Sequence, residues 1–555
     1  MLDLLLRGGW VVDGLGAPTY RADVGVQDGR IAAIGDLRDA QAGRTIACDG
    51  LCVSPGWVDI HGHADWSALE HPIGLNLLVQ GCTLTVAGNC GHAPAPVLER
   101  ASDLLLRGEL RSLGGERAMR ERFPDGNWRM ADYLAAVEEA RPGVNYVQLA
   151  GHNALRRCVM GNDPLKAPPE ALGRMKQLLR ESLDEGCWGM SSGLVFVPGC
   201  WSDTDEVTAL AAVVAERDGL YTSHIRGERE TNIEATKEFI SIVEGAGVRA
   251  QMSHMQSKYP VFGNNVAKME LLEAAIAHGA DITVDSEAFP DCSATPAGFL
   301  QIYHYTPAQL VAQLSTPRGR AEVKRTMRTI HPWHPLGRFG PGGVPFRRAW
   351  DRVTIYDCPH DRDLEGQTVA AVAARRGIDP EDALFDLAVA EEGRGPRMIH
   401  DYIEDDHYRT APWSRCIFPS VDTGLFDPAE QLSTLDLRLW RDTRYPGTIG
   451  LFPRVLGQFV REERLLTLEE AVRRMTSLAV ERVGIRDRGA IRPGMWADLV
   501  VFDRDTIALR GSNPDPERVE TFYPVGIHHV LVNGVVAMEG PCYTGARAGR
   551  VLRKG

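Results

Sequence analysis

Three features of the sequence predict an α/β protein with a (β/α)8 barrel, a small β domain formed by both chain termini, and an inserted lid region. Short apolar strands alternate with longer helical segments across residues 53–480, as parallel strands joined by helical crossovers require. Turn-rich strand blocks occupy residues 1–52 and 481–555. An irregular stretch at 291–415 breaks the alternation and reads as the insertion.

In chain order, the first block offers strands at Leu4–Leu6, Trp10–Val12, Asp23–Val26, Ile31–Ile34 and Arg44–Ala47. Gly14, Asp28-Gly29 and Asp36 supply the turns between them. At the far end Asp498–Phe502 follows a Pro493-Gly494 turn, and His529–Val532 runs into Asn533-Gly534, a strong hairpin signal. Neither block is long enough to bury a sheet alone, so the two are expected to pair. Between them, strands are expected at 53–60, 82–88, 145–150, 186–191, 219–223, 248–253, 280–284 and 416–419. Helices are expected at 169–184, 204–217, 230–245 and 266–277, with Asp203 or Thr204 placed to cap the second. Eight strands imply a closed barrel. Within 291–415, Phe339-Gly340-Pro341-Gly342-Gly343 is irregular, whereas 364–376 and 380–392 read as helices. An insertion at this end of a barrel is positioned to cover whatever binds at the strand ends.

The chain has 555 residues, enough for a large core, and 44% hydrophobic and 24% charged residues, as in a globular protein. Its net charge of −13 has no basic block to offset it, which leaves no electrostatic footprint for nucleic acid or an anionic membrane. Met1–Trp10 is interrupted by Gly8-Gly9 before a signal peptide's apolar segment is established. No apolar stretch reaches the roughly 18 residues a spanning helix needs. Eleven scattered cysteines do not form a disulfide framework, so a cytoplasmic setting is expected, with Cys52, Cys82 and Cys187 as small core residues. Monomer and homo-oligomer are both compatible with this composition.

The chemistry concentrates at strand ends. His61-Gly62-His63 closes the apolar run Val53–Ile60, and alternation puts both imidazoles on one face, with Asp65 continuing the parity. Two surface histidines in a turn are the alternative. Cys90 follows Thr85–Asn89, His224 follows Leu220–Ser223, and His254 follows Val248–Ser253. Five ligand-type groups at four strand ends point to a metal, and mixed sulfur and nitrogen donors point to zinc. The chemistry expected of such a site is hydrolysis: the metal activates water and polarises a carbonyl, while a carboxylate handles the proton. Asp422, in Ser420–Gly424 beyond the last strand, is the candidate base or an ordinary turn aspartate.

Gly189–Leu194, which contains Ser192, either brings backbone amides to a ligand or forms a packed turn. Arg156 in Gly151–Arg156 offers a cation near a third strand end, or faces solvent. His331 and His334 have ligand-like spacing within the insertion. Phosphate loops, dinucleotide fingerprints and serine-nucleophile elbows are missing from the sequence.

Taken together, Val53–His63, Gly88–Gly91, Gly151–Arg156, Gly189–Gly193, Thr222–Arg226, Gln251–His254, Thr448–Gly457, Met475–Leu478 and Arg488–Asp503 resemble the D-aminoacylase group. These are the N-acyl-D-amino-acid deacylases of the amidohydrolase superfamily. The resemblance implies a metal-bearing (β/α)8 barrel with a β domain from both termini. It implies that Cys90, His224 and His254 hold a tighter zinc. His61 and His63, with Cys90 and Asp422, would form a second, weaker site. It further implies that Asp422 takes a proton from the attacking water and delivers it to the leaving nitrogen, beneath a mobile lid.

The match deteriorates in the substrate groove. Met255-Gln256 follows His254 where the family usually carries a carboxylate-binding lysine, and Lys258 lies two residues farther on. The family's Asp-Gln-Tyr-Pro-Tyr stands here as Asp285–Phe289, which loses both tyrosyl hydroxyls and introduces Glu287. The counterpart of a carboxylate-binding arginine is Arg444, 22 positions beyond Asp422. The expected function is zinc-dependent deacylation of an N-acyl-D-amino acid or related N-acyl compound, with Arg156, Lys258 or Arg444 meeting the carboxylate. The alternatives are hydrolysis of another small linear or cyclic amide that lacks the α-carboxylate, and a non-catalytic metal or small-molecule binding protein.

Overall fold

The computed structural model describes residues 1–98, 116–228, 231–255, 257, 261, 263–287, 291–294, 296, 305, 307–326, 350–393, 395–401, 417–432, 445–509 and 519–555. The two chain ends meet in one nine-stranded sheet. Its order is Cys542–Tyr543, Val535–Glu539, Ile527–Val532, Leu499–Phe502, Cys52–Pro55, Leu2–Val11, Tyr20–Gln27 and Arg30–Gly35, with Ala42–Ala47 also paired to Leu2–Val11. Leu2–Val11 is a single strand where the sequence pattern suggests two. The register shifts between Leu6 and Gly9, and Gly8 at φ 77° lets the strand bulge without ending. Asn533 and Gly534, at φ 48° and 81°, make the expected tight hairpin.

The segment expected as one strand at 53–60 is also different: it divides between two sheets. Cys52–Pro55 pairs antiparallel with Leu499–Phe502, and Trp57–Asp59 then pairs parallel with Cys82–Ala87. Gly56 is the crossing point, because a Cβ there would stand 2.1 Å from Thr83 Oγ1. Trp57 seals this seam, buried with its ring centroid 5.8 Å from both Phe452 and Phe502.

Trp57–Asp59, Cys82–Ala87 and Asn145–Gln148 form one parallel sheet. Ala150–Gly151, Gly189–Gly193, Leu220–His224, Arg249–Met252, Ile282–Ser286 and Ile417–Pro419 form another, in that order. The strands at 145–148 and 150–151 are one segment interrupted at Leu149. At the opposite edges, the Asp422 N–H donates to His61 O and the His63 N–H to Thr423 O, both at 2.8 Å.

Helices Pro169–Asp184, Thr204–Glu216, Asn232–Ala246 and Asn264–Ala277 make the crossovers. Asp203, not Thr204, caps the second by accepting the Glu206 N–H at 2.9 Å. Val207, Leu210, Ala211 and Val214 give that helix its buried stripe.

Between residues 291 and 401, helices Pro307–Leu314, Pro317–Thr326, Val369–Arg376 and Pro380–Ala390 accompany the antiparallel strands Asp291–Ala294, Arg397–Asp401 and Val353–Asp357. Leu310, Leu314, Val353, Ile355, Leu384 and Phe385 form a core of their own there. Among the described residues, no helix is long and apolar enough to cross a membrane, and the nine cysteines whose side chains are described are free thiols.

Candidate metal centre

The parallel register aligns Ser191 with Thr222 and Gly193 with His224, so these four residues share one face of their strands. That face builds the Cys90 turn. Ser191 Oγ accepts the Gly91 N–H at 2.9 Å and donates to Gly88 O, while Thr222 Oγ1 donates to Asn89 Oδ1 at 2.9 Å. A Cβ on Gly193 would lie 1.9 Å from Cys90 O, so glycine at that position lets the turn press against the strand. Cys90 is held there at φ 54°, in the left-handed region.

Cys90 Sγ lies 3.4 Å from His61 Nε2, 3.5 Å from His224 Nδ1 and 3.4 Å from His254 Nε2. On the other side of His61, Asp422 Oδ1 is 3.5 Å from His61 Nε2 and 3.1 Å from His63 Nε2. The donor atoms of His61, Cys90 and His254, those of His61, His63 and Asp422, and those of His224, Glu228 and His254 form three overlapping groups, each within 4.8 Å. The structure thus brings together all six residues expected at a metal centre. Bond lengths and angles at a tetrahedral zinc ion set a sulfur–nitrogen separation of about 3.5 Å. The spacing around Cys90 therefore fits zinc. So does the far side of His61, whose Nδ1 faces Asp285 Oδ1 at 3.2 Å and leaves Nε2 for an ion.

The electrostatics agree. Burial alone would push the Cys90 thiol up, but the charges of His61 and His254 and hydrogen bonds from His224 and His254 pull it well below its ordinary value. Burial pulls His63 down, yet hydrogen bonds with Asp422 and Cys90 outweigh it and hold the ring at about 10. His61 and His254 are likewise raised well above 6.5: against burial, Asp285, Cys90 and Asp422 act on His61, while Cys90 and Glu228 act on His254. Without an ion, protons on imidazole balance the thiolate and carboxylates; these are the protons a cation displaces.

Six rings close a collar around this centre. Their centroids are separated by 5.6 Å from His61 to His63, 6.4 Å to His92, 4.8 Å to Phe196, 4.8 Å to His224, 4.3 Å to His254 and 5.1 Å back to His61. His61 is fully buried, whereas the His63 and Asp422 side chains are 19% and 14% exposed, so the centre opens on their side.

Three buried carboxylates in this region escape a reading by ligand spacing. Asp285 takes bonds from both neighbouring strand segments, Gln251 Nε2 at 2.7 Å and the His254 N–H at 2.9 Å on one side and Ser420 Oγ at 2.9 Å on the other, besides facing His61. Asp59 accepts the Val421 N–H at 2.9 Å and Thr85 Oγ1 at 3.1 Å, and burial raises it to about 6. Glu228 reaches back from the turn beyond His224, with Oε1 3.2 Å from His254 Nδ1 and Oε2 3.5 Å from His224 Nε2. Its sequence signal is an acidic residue four positions past a ligand-type histidine.

Three of the residues expected to meet substrate are described. Arg156 is buried and donates to Glu206 and to Leu165 O, while His152 Nε2 lies 2.8 Å from the same carboxylate. Ser192 is on the strand face opposite His224, bonded to Tyr221 OH at 2.7 Å and Ser223 Oγ at 3.0 Å. Glu287 is buried just beyond Ile282–Ser286. Lys258, Arg444, Gln256, His331 and His334 lie outside the described residues.

The sequence model of the amidohydrolase family matches residues 347–538. With clusters able to hold an ion at the strand ends of a parallel α/β sheet, the protein is a metal-dependent amidohydrolase. It is 34% identical to an N-acyl-D-glutamate deacylase of Alcaligenes xylosoxydans xylosoxydans, across 100% of this chain and 97% of that one. A D-aminoacylase of the same organism is 32% identical, across 100% and 98%. The crystal structure of the N-acyl-D-glutamate deacylase of Bordetella bronchiseptica, complexed with zinc and a phosphonate mimic of the tetrahedral intermediate, superposes with a TM-score of 0.75. It is 32% identical, with 100% of both chains covered. The chain belongs to the D-aminoacylase, or N-acyl-D-amino-acid deacylase, branch of the amidohydrolase superfamily.

Proposed function

We propose that this protein hydrolyses the amide of an N-acyl-D-amino acid with zinc held by Cys90, His224 and His254, and a second, weaker ion at His61, His63, Cys90 and Asp422. The observation that carries the reading is the Cys90 thiolate with three imidazole nitrogens at 3.4–3.5 Å. Zinc in such a site supplies Lewis acidity toward the scissile carbonyl and lowers the pKa of water. Asp422 stands at the open side, where its carboxylate takes the proton of the attacking water and returns it to the leaving nitrogen. Asp285 holds His61 through Nδ1, which keeps the residues on that side in register.

In this reading the eight parallel strands close into a (β/α)8 barrel over residues 53–480, supported by the backbone bonds between the Asp422 and His61 exits. Residues 1–52 and 481–555 form the small β domain. The insertion at 291–415, which enters between the last two strands, covers the pocket as a lid. Free cysteines are in keeping with a reducing cytoplasm.

The engagement of Arg156 by Glu206 favours a second reading, a small linear or cyclic amide whose recognition needs less positive charge. The two separate in an assay of the zinc-loaded protein against N-acyl-D- and N-acyl-L-amino acids with neutral and acidic side chains, simple amides and cyclic amides. Turnover of the N-acyl-D-amino acids alone supports the first reading, and turnover of uncharged amides alone supports the second. No zinc-dependent turnover of any member overturns both.

A further inference from the structure

We infer that Glu228 is a positioning residue that fixes both imidazoles of the tighter metal position through one carboxylate. The inference rests on the reading of Cys90, His224 and His254 as zinc ligands. The two rings present opposite nitrogens to the thiolate: Nδ1 of His224 at 3.5 Å and Nε2 of His254 at 3.4 Å. Their remaining nitrogens face the same side chain, His224 Nε2 lying 3.5 Å from Glu228 Oε2 and His254 Nδ1 3.2 Å from Oε1.

A neutral imidazole carries one N–H and one lone pair. A carboxylate accepts only, so Glu228 favours a proton on Nδ1 of His254 at 3.2 Å and on Nε2 of His224, which at 3.5 Å is within ion-pair reach without a hydrogen bond. Both lone pairs then point at Cys90, the arrangement a cation requires. The mixed use of Nδ1 and Nε2 follows from one acceptor standing between two adjacent strand exits.

The backbone explains how the carboxylate gets there. His224 ends its strand, and the chain bends at Arg226 and Glu228 on either side of Gly227, where a Cβ would meet Thr231 Oγ1 at 1.9 Å. The carboxylate is buried at 4% exposure, so water does not replace it as the acceptor. Asp285 serves His61 through a single nitrogen, so the two metal positions are supported by different acids.

The test compares zinc affinity, by competition with a chromophoric chelator, in the full-length protein and its Glu228→Gln and Glu228→Ala variants. Circular dichroism of the metal-free proteins monitors the fold. Glutamine keeps the volume, but its amide donates toward one ring and forces the wrong tautomer. Both variants are therefore expected to lose roughly 10- to 100-fold in affinity for the first zinc, with altered absorption bands when cobalt replaces zinc. Wild-type affinity and cobalt bands in Glu228→Gln would reduce Glu228 to a space-filling role and overturn the inference.

Nitrogen-15 spectra of the unaltered zinc-loaded protein test the same point without a variant. Protons on Nε2 of His224 and Nδ1 of His254 support it, and the opposite tautomers overturn it. If the wild-type protein takes up no zinc, the metal reading itself fails, an outcome distinct from loss confined to the variants.

Discussion

Two buried polar clusters handle charge in opposite ways. In the terminal sheet, Asp498 accepts Arg488 on one oxygen, with Asn145 Nδ2 at 3.1 Å and the Asn533 N–H at 2.7 Å on the other, and Asn533 Nδ2 returns to Asn145 Oδ1 at 2.8 Å. A guanidinium is permanently charged, so this cluster carries its own cation. At the strand ends, Cys90, Asp422, Asp285 and Glu228 face imidazoles, whose charge depends on a proton. Cys90, His254 and Asp422 also hold left-handed backbones at φ 54°, 30° and 50°, a conformation that costs a non-glycine residue of order 1–3 kcal/mol. One cluster ties the C-terminal strands to the parallel strand that begins at Asn145, and the other is arranged to be completed by a cation.

If that contrast is right, damage to one cluster should spare what the other provides. The largest effect is expected from Cys90→Ala, which removes the atom shared by both ion positions. Zinc content by elemental analysis should fall below one per chain, and kcat/KM by at least about 10,000-fold, because water activation and charge stabilisation go together. Undiminished turnover would break the comparison at its centre.

Asp422→Asn is milder. It should lower kcat by about 100- to 1,000-fold while the tighter zinc stays bound, as expected for loss of a general base. Loss of all metal would make Asp422 a ligand first and a base second.

Asp498→Ala strands the buried Arg488 cation and should cost about 3–5 kcal/mol of stability, read as a lower denaturation midpoint. The turnover of the protein that remains folded should match wild type, which would sharpen the division of labour.

Acidity should separate the clusters as well. In the metal-free protein His63 titrates at about 10, above the ordinary 6.5. The stability it contributes as an imidazolium is therefore fully present below pH 6.5 and is lost as pH rises through about 10. Zinc must displace that proton, so affinity for the second ion should rise across the same window. Calorimetric titration at about pH 7 and about pH 9 measures it, and equal affinities would exclude proton competition.

The smallest effect belongs to Ser192→Ala, which breaks bonds on the face away from the centre. It should cost about 0.5–1.5 kcal/mol in thermal stability with kcat/KM unchanged.

Much of this site is legible along the chain because parallel strands end in register. Cys90, His224 and His254 each follow an apolar run, and strand exits gather at one end of a parallel sheet. Parity also separates Ser191 from Ser192, but only once the face of His224 is known. Arg156 reads as an available cation until Glu206, 50 positions away, is seen to neutralise it. Asp285 touches His61 from another strand, so spacing from its own neighbours does not reveal it, and Glu228 stands four positions past His224 but reaches His254 only across two strand exits. The division of 53–60 between two sheets depends on the contact of Gly56 with Thr83, which apolar periodicity cannot register.

The sequence by itself determined the strand–helix alternation, the pairing of the two chain ends and the residues able to grip a metal, since these follow from periodicity and donor chemistry within short windows. Only the tertiary structure decided which nitrogen each histidine turns to the thiolate, which carboxylates stand behind the rings, and which charged side chains are already spent on one another. Those outcomes depend on side-chain direction across strands far apart in sequence, where a shift of one residue in register reverses the face.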